Sequence, residues 1–220
     1  MTSPKGGAGK STATISLAGA ISKKATVCII DADPNFPIDR WKEMGGNVEN
    51  ITITKNIDEH DLVDQIEDAR KKFKFVIIDL EGSANLRTAY AVAYSDLVLI
   101  PTQPSTLDAD QAAKAVRLIK AESKKMGKHI PYRVLFTRIP NYKTRTYKHL
   151  EDQLDSANIP YMKTHIRDLE AFRAIFSFSQ TFDQMDEKQV PNIKAAQKNT
   201  LEFAKEVITI LKTERTKKEK

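Results

Sequence analysis

The chain has 220 residues, of which 40% are hydrophobic and 29% charged, and its formal net charge at pH 7 is +6. A single cysteine, Cys28, excludes an intrachain disulfide, and the absence of any run of about 18 apolar residues excludes a membrane-spanning helix. No secretion signal and no Gly/Ser-rich or Pro-rich linker is evident. We therefore expect one cytoplasmic domain over 1–220, with a basic tail over about 212–220.

Apolar runs and amphipathic stretches alternate along the whole chain. Helices are predicted over 12–23, 58–72, 86–94, 108–126, 144–156 and 192–212. Buried strands are predicted over 25–30, 51–54, 75–78, 97–100 and 132–137, with an extended segment over 159–164. Pro101 is expected to stop the fourth strand. Continuous apolar strands separated by helices indicate an α/β fold of the P-loop NTPase type, with a mostly parallel sheet covered on both faces.

A glycine-rich loop precedes the first predicted helix. In such a loop the backbone N–H groups can point at phosphate oxygens, where a larger side chain would block them. Lys10 would reach the β- and γ-phosphates, and the hydroxyl of Ser11 would bind Mg²⁺. Pro4 stands where the strict P-loop pattern requires glycine. The matching string is instead Lys5-Gly6-Gly7-Ala8-Gly9-Lys10-Ser11-Thr12.

This string resembles the deviant Walker A motif of the ParA/MinD family, whose additional lysine contacts nucleotide across a dimer interface. By this resemblance Lys5 is the signature lysine, and it shares the catalytic role with Lys10. The resemblance also implies ATP and Mg²⁺ as cofactors and a weak intrinsic ATPase activity. The nucleotide-binding residues would be Gly6, Gly7, Ala8, Gly9, Lys10, Ser11 and Thr12. The alternative is a glycine-rich turn that happens to contain lysines.

Three aspartates are placed at the ends of predicted strands, where ligands collect in open parallel sheets. Asp31 and Asp33 stand in an Asp-Ala-Asp-Pro segment that resembles the first switch of the family. The resemblance implies that Asp31 supports the Mg²⁺ shell and that Asp33 positions the attacking water. Asp79 would hold Mg²⁺ as a Walker B aspartate. Either switch aspartate could instead cap a following helix, and Glu81 has no assigned role.

Adenine contacts are expected at Thr137 and Arg138, from their position after the fifth strand alone. A basic region that follows could bind DNA phosphates without reading sequence. The alternative to DNA binding is that these charges only form a solvent-exposed surface of the protein. The candidate DNA-binding residues are Arg138, Lys143, Arg145, Lys148, Arg167 and Arg173.

The resemblance implies a switch ATPase for plasmid or chromosome partitioning, which forms a homodimer with ATP and coats DNA in the nucleoid. A small DNA-binding protein of the ParB type would stimulate hydrolysis. The alternatives are a ParA-like protein of conjugal DNA transfer, a MinD-like membrane-positioning ATPase and a ligase on the same scaffold. An iron–sulfur reductase is excluded because a bridging cluster needs more than one cysteine per chain. Membrane binding would require the apolar stripe of the last helix, which is expected to pack on the core: Leu201, Ala204, Val207, Ile208 and Leu211.

Members of the family begin with a buried strand directly before the loop, and here only four residues precede Lys5. The first strand is therefore expected to be truncated. A missing central strand would interrupt the sheet and leave backbone groups on its neighbours unpaired. We expect such a chain to be unstable or to bind nucleotide weakly.

Overall fold

A computed structural model describes residues 1–3, 6–82, 85–140 and 145–218, with the side chains of 106–109 and Lys218 not described. It confirms the predicted α/β fold with parallel strands. The strands are β1 (Val27–Ala32), β2 (Ile51–Lys55), β3 (Phe75–Leu80), β4 (Val98–Thr102) and β5 (Tyr132–Phe136). The helices are α1 (Lys10–Ser22), α2 (Pro37–Glu43), α3 (Leu62–Lys72), α4 (Leu86–Ala93), α5 (Thr106–Lys125), α6 (Arg145–Ser156), α7 (Glu170–Ser177) and α8 (Ile193–Lys218).

The strands pair in the order β2-β1-β3 and, separately, β4-β5, and every pairing is parallel. The first three residues lie between the two sets. The Met1 amino group donates to the Ile78 carbonyl at 2.6 Å, and the Met1 carbonyl accepts from the Leu80 amide at 3.3 Å. On the other side, the Thr2 amide donates to the Leu99 carbonyl at 3.1 Å. The expectation of unpaired backbone groups is therefore wrong for these three groups of β3 and β4.

The extended segment predicted over 159–164 lies along β5. Its backbone forms two hydrogen bonds with Val134. The Val134 amide donates to the Pro160 carbonyl at 3.0 Å, and the Val134 carbonyl accepts from the Met162 amide at 2.8 Å. The pairing is limited to an isolated parallel bridge between Val134 and Tyr161.

One prediction of local structure is wrong, and two short helices were missed. Pro101 lies within β4, opposite Leu135 of β5, because a proline removes only one donor and leaves the extended backbone conformation accessible. The short helices α2 and α7 were not predicted, since seven or eight residues are too few to establish a helical period.

The helix that follows the phosphate loop is packed on nearly all sides. Ile15, Leu17, Ala18 and Ile21 of α1 are at most 5% exposed and belong to a core cluster shared with α7 and α8. This burial anchors the start of α1, and therefore the loop that leads into it. Within the described residues, no helix is long and apolar enough to cross a bilayer.

Candidate nucleotide-binding site

The glycine-rich loop turns through two left-handed residues before α1. Gly7 has φ +77° and Gly9, the N-cap of α1, has φ +86°. Residues with a Cβ rarely adopt this conformation, so the backbone at these two positions favours glycine. Gly6 and Gly7 are exposed, whereas Ala8 is buried. Lys5, the predicted signature lysine, lies outside the described residues.

Two side chains from the ends of neighbouring strands bind the loop backbone. The hydroxyl of Thr137, directly after β5, donates to the Ala8 carbonyl at 2.8 Å. The amide of Gln103, directly after β4, donates to the Gly7 carbonyl at 2.7 Å. Gln103 was not predicted, because its role depends on which strand ends flank the loop. The expected adenine contact of Thr137 stays a prediction.

The carboxylate of Asp79 meets the first turn of α1. Its Oδ2 accepts a 2.6 Å hydrogen bond from the Ser11 hydroxyl, and its Oδ1 accepts a 3.1 Å bond from Thr14. Asp79 is fully buried, and burial raises its pKa above the usual range against opposing contributions that include the Ser11 hydrogen bond and the Lys10 charge. Lys10 itself is 7% exposed. Thr14 was missed, although its position three residues after Ser11 places it on the same helix face.

These oxygen donors fit Mg²⁺. Magnesium is usually held by one or two carboxylates, retained waters and substrate phosphates rather than by a complete protein cage. Ser11 and Asp79 supply a hydroxyl and a carboxylate side by side at the phosphate loop. No cluster of three or more His, Cys, Asp or Glu ligands occurs among the residues that the structure describes.

Asp31 lies next to Asp79, because parallel register pairs the two residues across β1 and β3. Its Oδ2 accepts from the amides of Ile38 at 2.8 Å and Asp39 at 2.9 Å, and therefore caps α2. Burial raises the pKa of Asp31 to about 6, and the charge of Asp79 adds to the shift. The capping alternative is thus realised for Asp31, while its contribution to the Mg²⁺ shell stays a prediction.

Asp33 has a different environment. It is half-buried, and its Oδ1 accepts from the backbone amide of Asn35 at 2.9 Å and from the Asn35 side chain at 3.1 Å. No other described residue donates to this carboxylate. Its second oxygen can therefore accept a hydrogen bond from water.

The segment after Asp79 leads into α4. Asn85 caps this helix by accepting from the Thr88 amide at 2.8 Å, and the side-chain amide of Asn85 donates to Glu81 at 2.5 Å. Arg87, in the first turn of α4, is only 9% exposed. Nothing in the sequence singled out this arginine, since a charged residue in an amphipathic helix normally faces solvent.

Three chain segments bring most of the predicted DNA-binding residues to one region. Arg138 precedes Ile139, which forms an isolated bridge with Arg167, and Tyr147 of α6 contacts His165 with ring centroids 5.8 Å apart. Four of the predicted DNA-binding residues in this region are exposed: Arg138, Arg145, Lys148 and Arg167.

Two of the predicted DNA-binding residues differ from these four. Arg173 forms ion pairs with Asp168 at 2.5 Å and Glu170 at 3.0 Å, so its charge is largely compensated. Lys143 lies outside the described residues.

A cavity of about 490 Å³ lies between α1 and α8, lined by residues that include Gly19, Lys23, Phe182 and Thr200. None of the described loop residues, 6–12, lines it. This cavity is therefore separate from the candidate nucleotide site.

Comparison of the sequence with known proteins agrees with a nucleotide-binding site built on the glycine-rich loop. The family model described as VirC1 protein matches residues 1–213. The chain is 33% identical over 204 residues to the protein ParA of Rhizobium radiobacter, which covers 92% of this chain and 91% of that protein.

Solved structures share the fold. The septum site-determining protein MinD of Pyrococcus horikoshii, complexed with Mg-ADP, superposes with a TM-score of 0.69 at 18% identity, covering 94% of this chain and 96% of that one. A Cyanothece McdA variant in complex with ATP gives 0.69 at 15% identity, covering 90% and 92%.

Proposed function

Because the chain belongs to the VirC1 family, and with it to the ParA/MinD family of ATPases, we propose that it is a dimerising, ATP-dependent switch ATPase for DNA partitioning. The observation that carries the proposal is the phosphate loop, in which Ser11 contacts the Asp79 carboxylate at 2.6 Å directly beside a left-handed glycine turn. A partner protein of the ParB type would stimulate its slow hydrolysis of ATP.

Each site residue has a proposed role that fits its surroundings. The backbone of residues 6–12 binds the phosphates, and Lys10 neutralises charge on the β- and γ-phosphates. Ser11 and Asp79 would hold Mg²⁺, which would withdraw charge from the phosphate oxygens. The second carboxylate oxygen of Asp33, to which no described residue donates, orients the attacking water, and Lys5 reaches the nucleotide of the second protomer.

Nucleotide assays test this assignment. Lys10→Ala removes the phosphate contact and is expected to abolish ATP binding, measured by equilibrium dialysis. Asp33→Ala leaves the loop intact, so it is expected to bind ATP, dimerise and hydrolyse it at least about tenfold more slowly. Wild-type hydrolysis by Asp33→Ala would disprove its role, and undetectable ATP binding by the unaltered protein would disprove the proposed function.

DNA binding is proposed at the basic region of Arg138, Lys143, Arg145, Lys148 and Arg167, with Arg173 a weaker contributor because of its ion pairs. Lys148→Glu is expected to weaken retention on DNA of any sequence and to reduce the salt slope, d log K/d log[salt], by about 1 in magnitude. Lys205→Glu, at an exposed position of α8, is the matched control with the same change in net charge. Retention that ignores both ATP and salt would contradict the proposal.

We do not propose a membrane role, because part of the apolar stripe of α8 is used in packing. Ala204 and Val207 are 3% and 4% exposed and join the same core cluster as α1. Sedimentation with liposomes in the presence of ATP would reveal membrane binding.

A further inference from the structure

Arg87 connects α4 to the backbone at the end of β1 and to the backbone after β2. One terminal nitrogen of its guanidinium, Nη2, donates to the Ile57 carbonyl at 3.0 Å, and the other, Nη1, approaches the Ala32 carbonyl at 3.4 Å. Ala32 is the last residue of β1 and stands between Asp31 and Asp33. The same guanidinium therefore contacts the end of β1 and the segment after β2.

This placement is unfavourable for stability in three ways. The guanidinium is buried and forms no ion pair with a carboxylate among the described residues, and burial of a charge without an opposite charge is costly. Its Nε is buried and has no hydrogen-bond partner among the described residues. Arg87 is also the second residue of α4, after the N-cap Asn85, where the helix dipole disfavours a cation.

An arginine that served packing alone would not need these three features together, because an apolar side chain of similar length fits the same space without them. The contacts instead join two structural parts of the proposed site, the helix after Asp79 and the end of β1. The helix that follows Asp79 carries Arg87, and the carbonyl that it reaches belongs to the residue preceding Asp33.

We infer that Arg87 is a positioning residue that, from α4, fixes the placement of Asp33. Its two backbone contacts hold the end of β1 relative to α4, and with it the aspartate that follows Ala32. The role of Arg87 in hydrolysis rests on the proposed ATPase function. Its effect on the position of the segment after β1 can be measured in the protein without nucleotide.

Two substitutions separate this role from a purely structural one. Arg87→Met retains the length of the side chain and removes both the charge and the donors. It is expected to unfold at a temperature equal to or above that of the unaltered protein and to bind ATP within about threefold of its affinity. Its rate of ATP hydrolysis is expected to be at least about tenfold lower, since a small misplacement of a catalytic group lowers a rate by this much. Arg87→Lys, which keeps one donor group, is expected to recover part of the rate.

Arg70→Met is the matched control, because Arg70 is half-exposed on α3 and its one ion pair among the described residues is a long contact with Asp96 at 3.7 Å. It is expected to leave turnover unchanged. A parallel loss of stability, ATP affinity and turnover in Arg87→Met would show that Arg87 is a structural support and would overturn the inference. Turnover within twofold of the unaltered protein would overturn it as well.

Hydrogen exchange of the nucleotide-free protein provides a readout that does not depend on ATPase activity. The amides of Asp33, Asn35 and Phe36 are expected to exchange faster in Arg87→Met than in the unaltered protein, and those of α1 are expected to be unchanged. Unaltered exchange at 33–36 would overturn the inference. If the unaltered protein does not bind ATP at all, the proposed function fails, and the exchange result alone decides whether Arg87 holds this segment.

Discussion

The hydrogen bond between Thr137 and the phosphate loop allows a quantitative test of loop preorganisation. Thr137 and Ala8 are 2% and 1% exposed, and the hydroxyl donates to the Ala8 carbonyl at 2.8 Å. Thr137→Val removes the donor with little change in shape and leaves a buried carbonyl with one partner fewer. The expected loss of unfolding free energy is about 1–3 kcal/mol.

Part of this loss should appear as weaker nucleotide binding. Without the bond the free loop can leave the conformation that receives phosphate, and ATP binding must restore it. Every 1.4 kcal/mol lost in this way lowers ATP affinity about tenfold. Titration calorimetry measures the affinity, and urea unfolding measures the stability.

Thr102→Val is the matched control for this comparison. Thr102 ends the neighbouring strand, is 4% exposed and donates its hydroxyl to Ile100 within its own strand at 3.0 Å. It should lose comparable stability while keeping ATP affinity within twofold. Equal ATP affinities for Thr137→Val and the unaltered protein would refute the view that this bond organises the loop.

Two further predictions concern stability. Burial raises the pKa of Asp31 to about 6, above its value in the unfolded chain, so the folded protein retains a proton that the unfolded chain has released. The free energy of unfolding without metal should therefore fall as the pH rises from about 4 to about 6, by roughly 3 kcal/mol for this group. Asp31→Asn should flatten that part of the urea-unfolding profile, and an unchanged slope would contradict the assignment. Gly46→Ala should lower the unfolding free energy by about 1–3 kcal/mol, because a Cβ at this position would overlap the ring of the buried Trp41. Thermal unfolding followed by Trp41 fluorescence measures this, and an unchanged midpoint would show that the ring can shift without cost.

The residues predicted correctly as neighbours were those set by local sequence or by strand ends. Ser11 follows the glycine turn directly, and its distance from Asp79 follows from the place of a phosphate loop at the carboxyl edge of a parallel sheet. Asp31 and Asp79 each directly follow a predicted apolar strand, and the parallel register of β1 and β3 aligns them.

The residues that were missed depend on contacts between distant parts of the chain. Gln103 binds Gly7 across 96 positions of sequence, and Arg87 binds Ile57 across 30. Neither contact leaves a periodic or motif signal in the sequence. The position of residues 1–3 was likewise unpredictable, since three residues are too few to show the alternation or the apolar run of a strand.

The two sides of the site are held in different ways, and this difference bears on how a switch could operate. The carbonyls of Gly7 and Ala8 are bound by side chains from two separate strand ends, and Asp79 is bound by α1, so the phosphate cradle is constrained by the core before any ligand arrives. The Asp33 carboxylate, in contrast, accepts only from Asn35 among the described residues. ATP differs from ADP by one phosphate, and this phosphate can shift a conformational equilibrium only in a segment that has more than one accessible conformation. Discrimination between ATP and ADP is therefore expected to arise at Asp33 and the helix that Arg87 connects to it, rather than in the loop that binds the phosphates common to both.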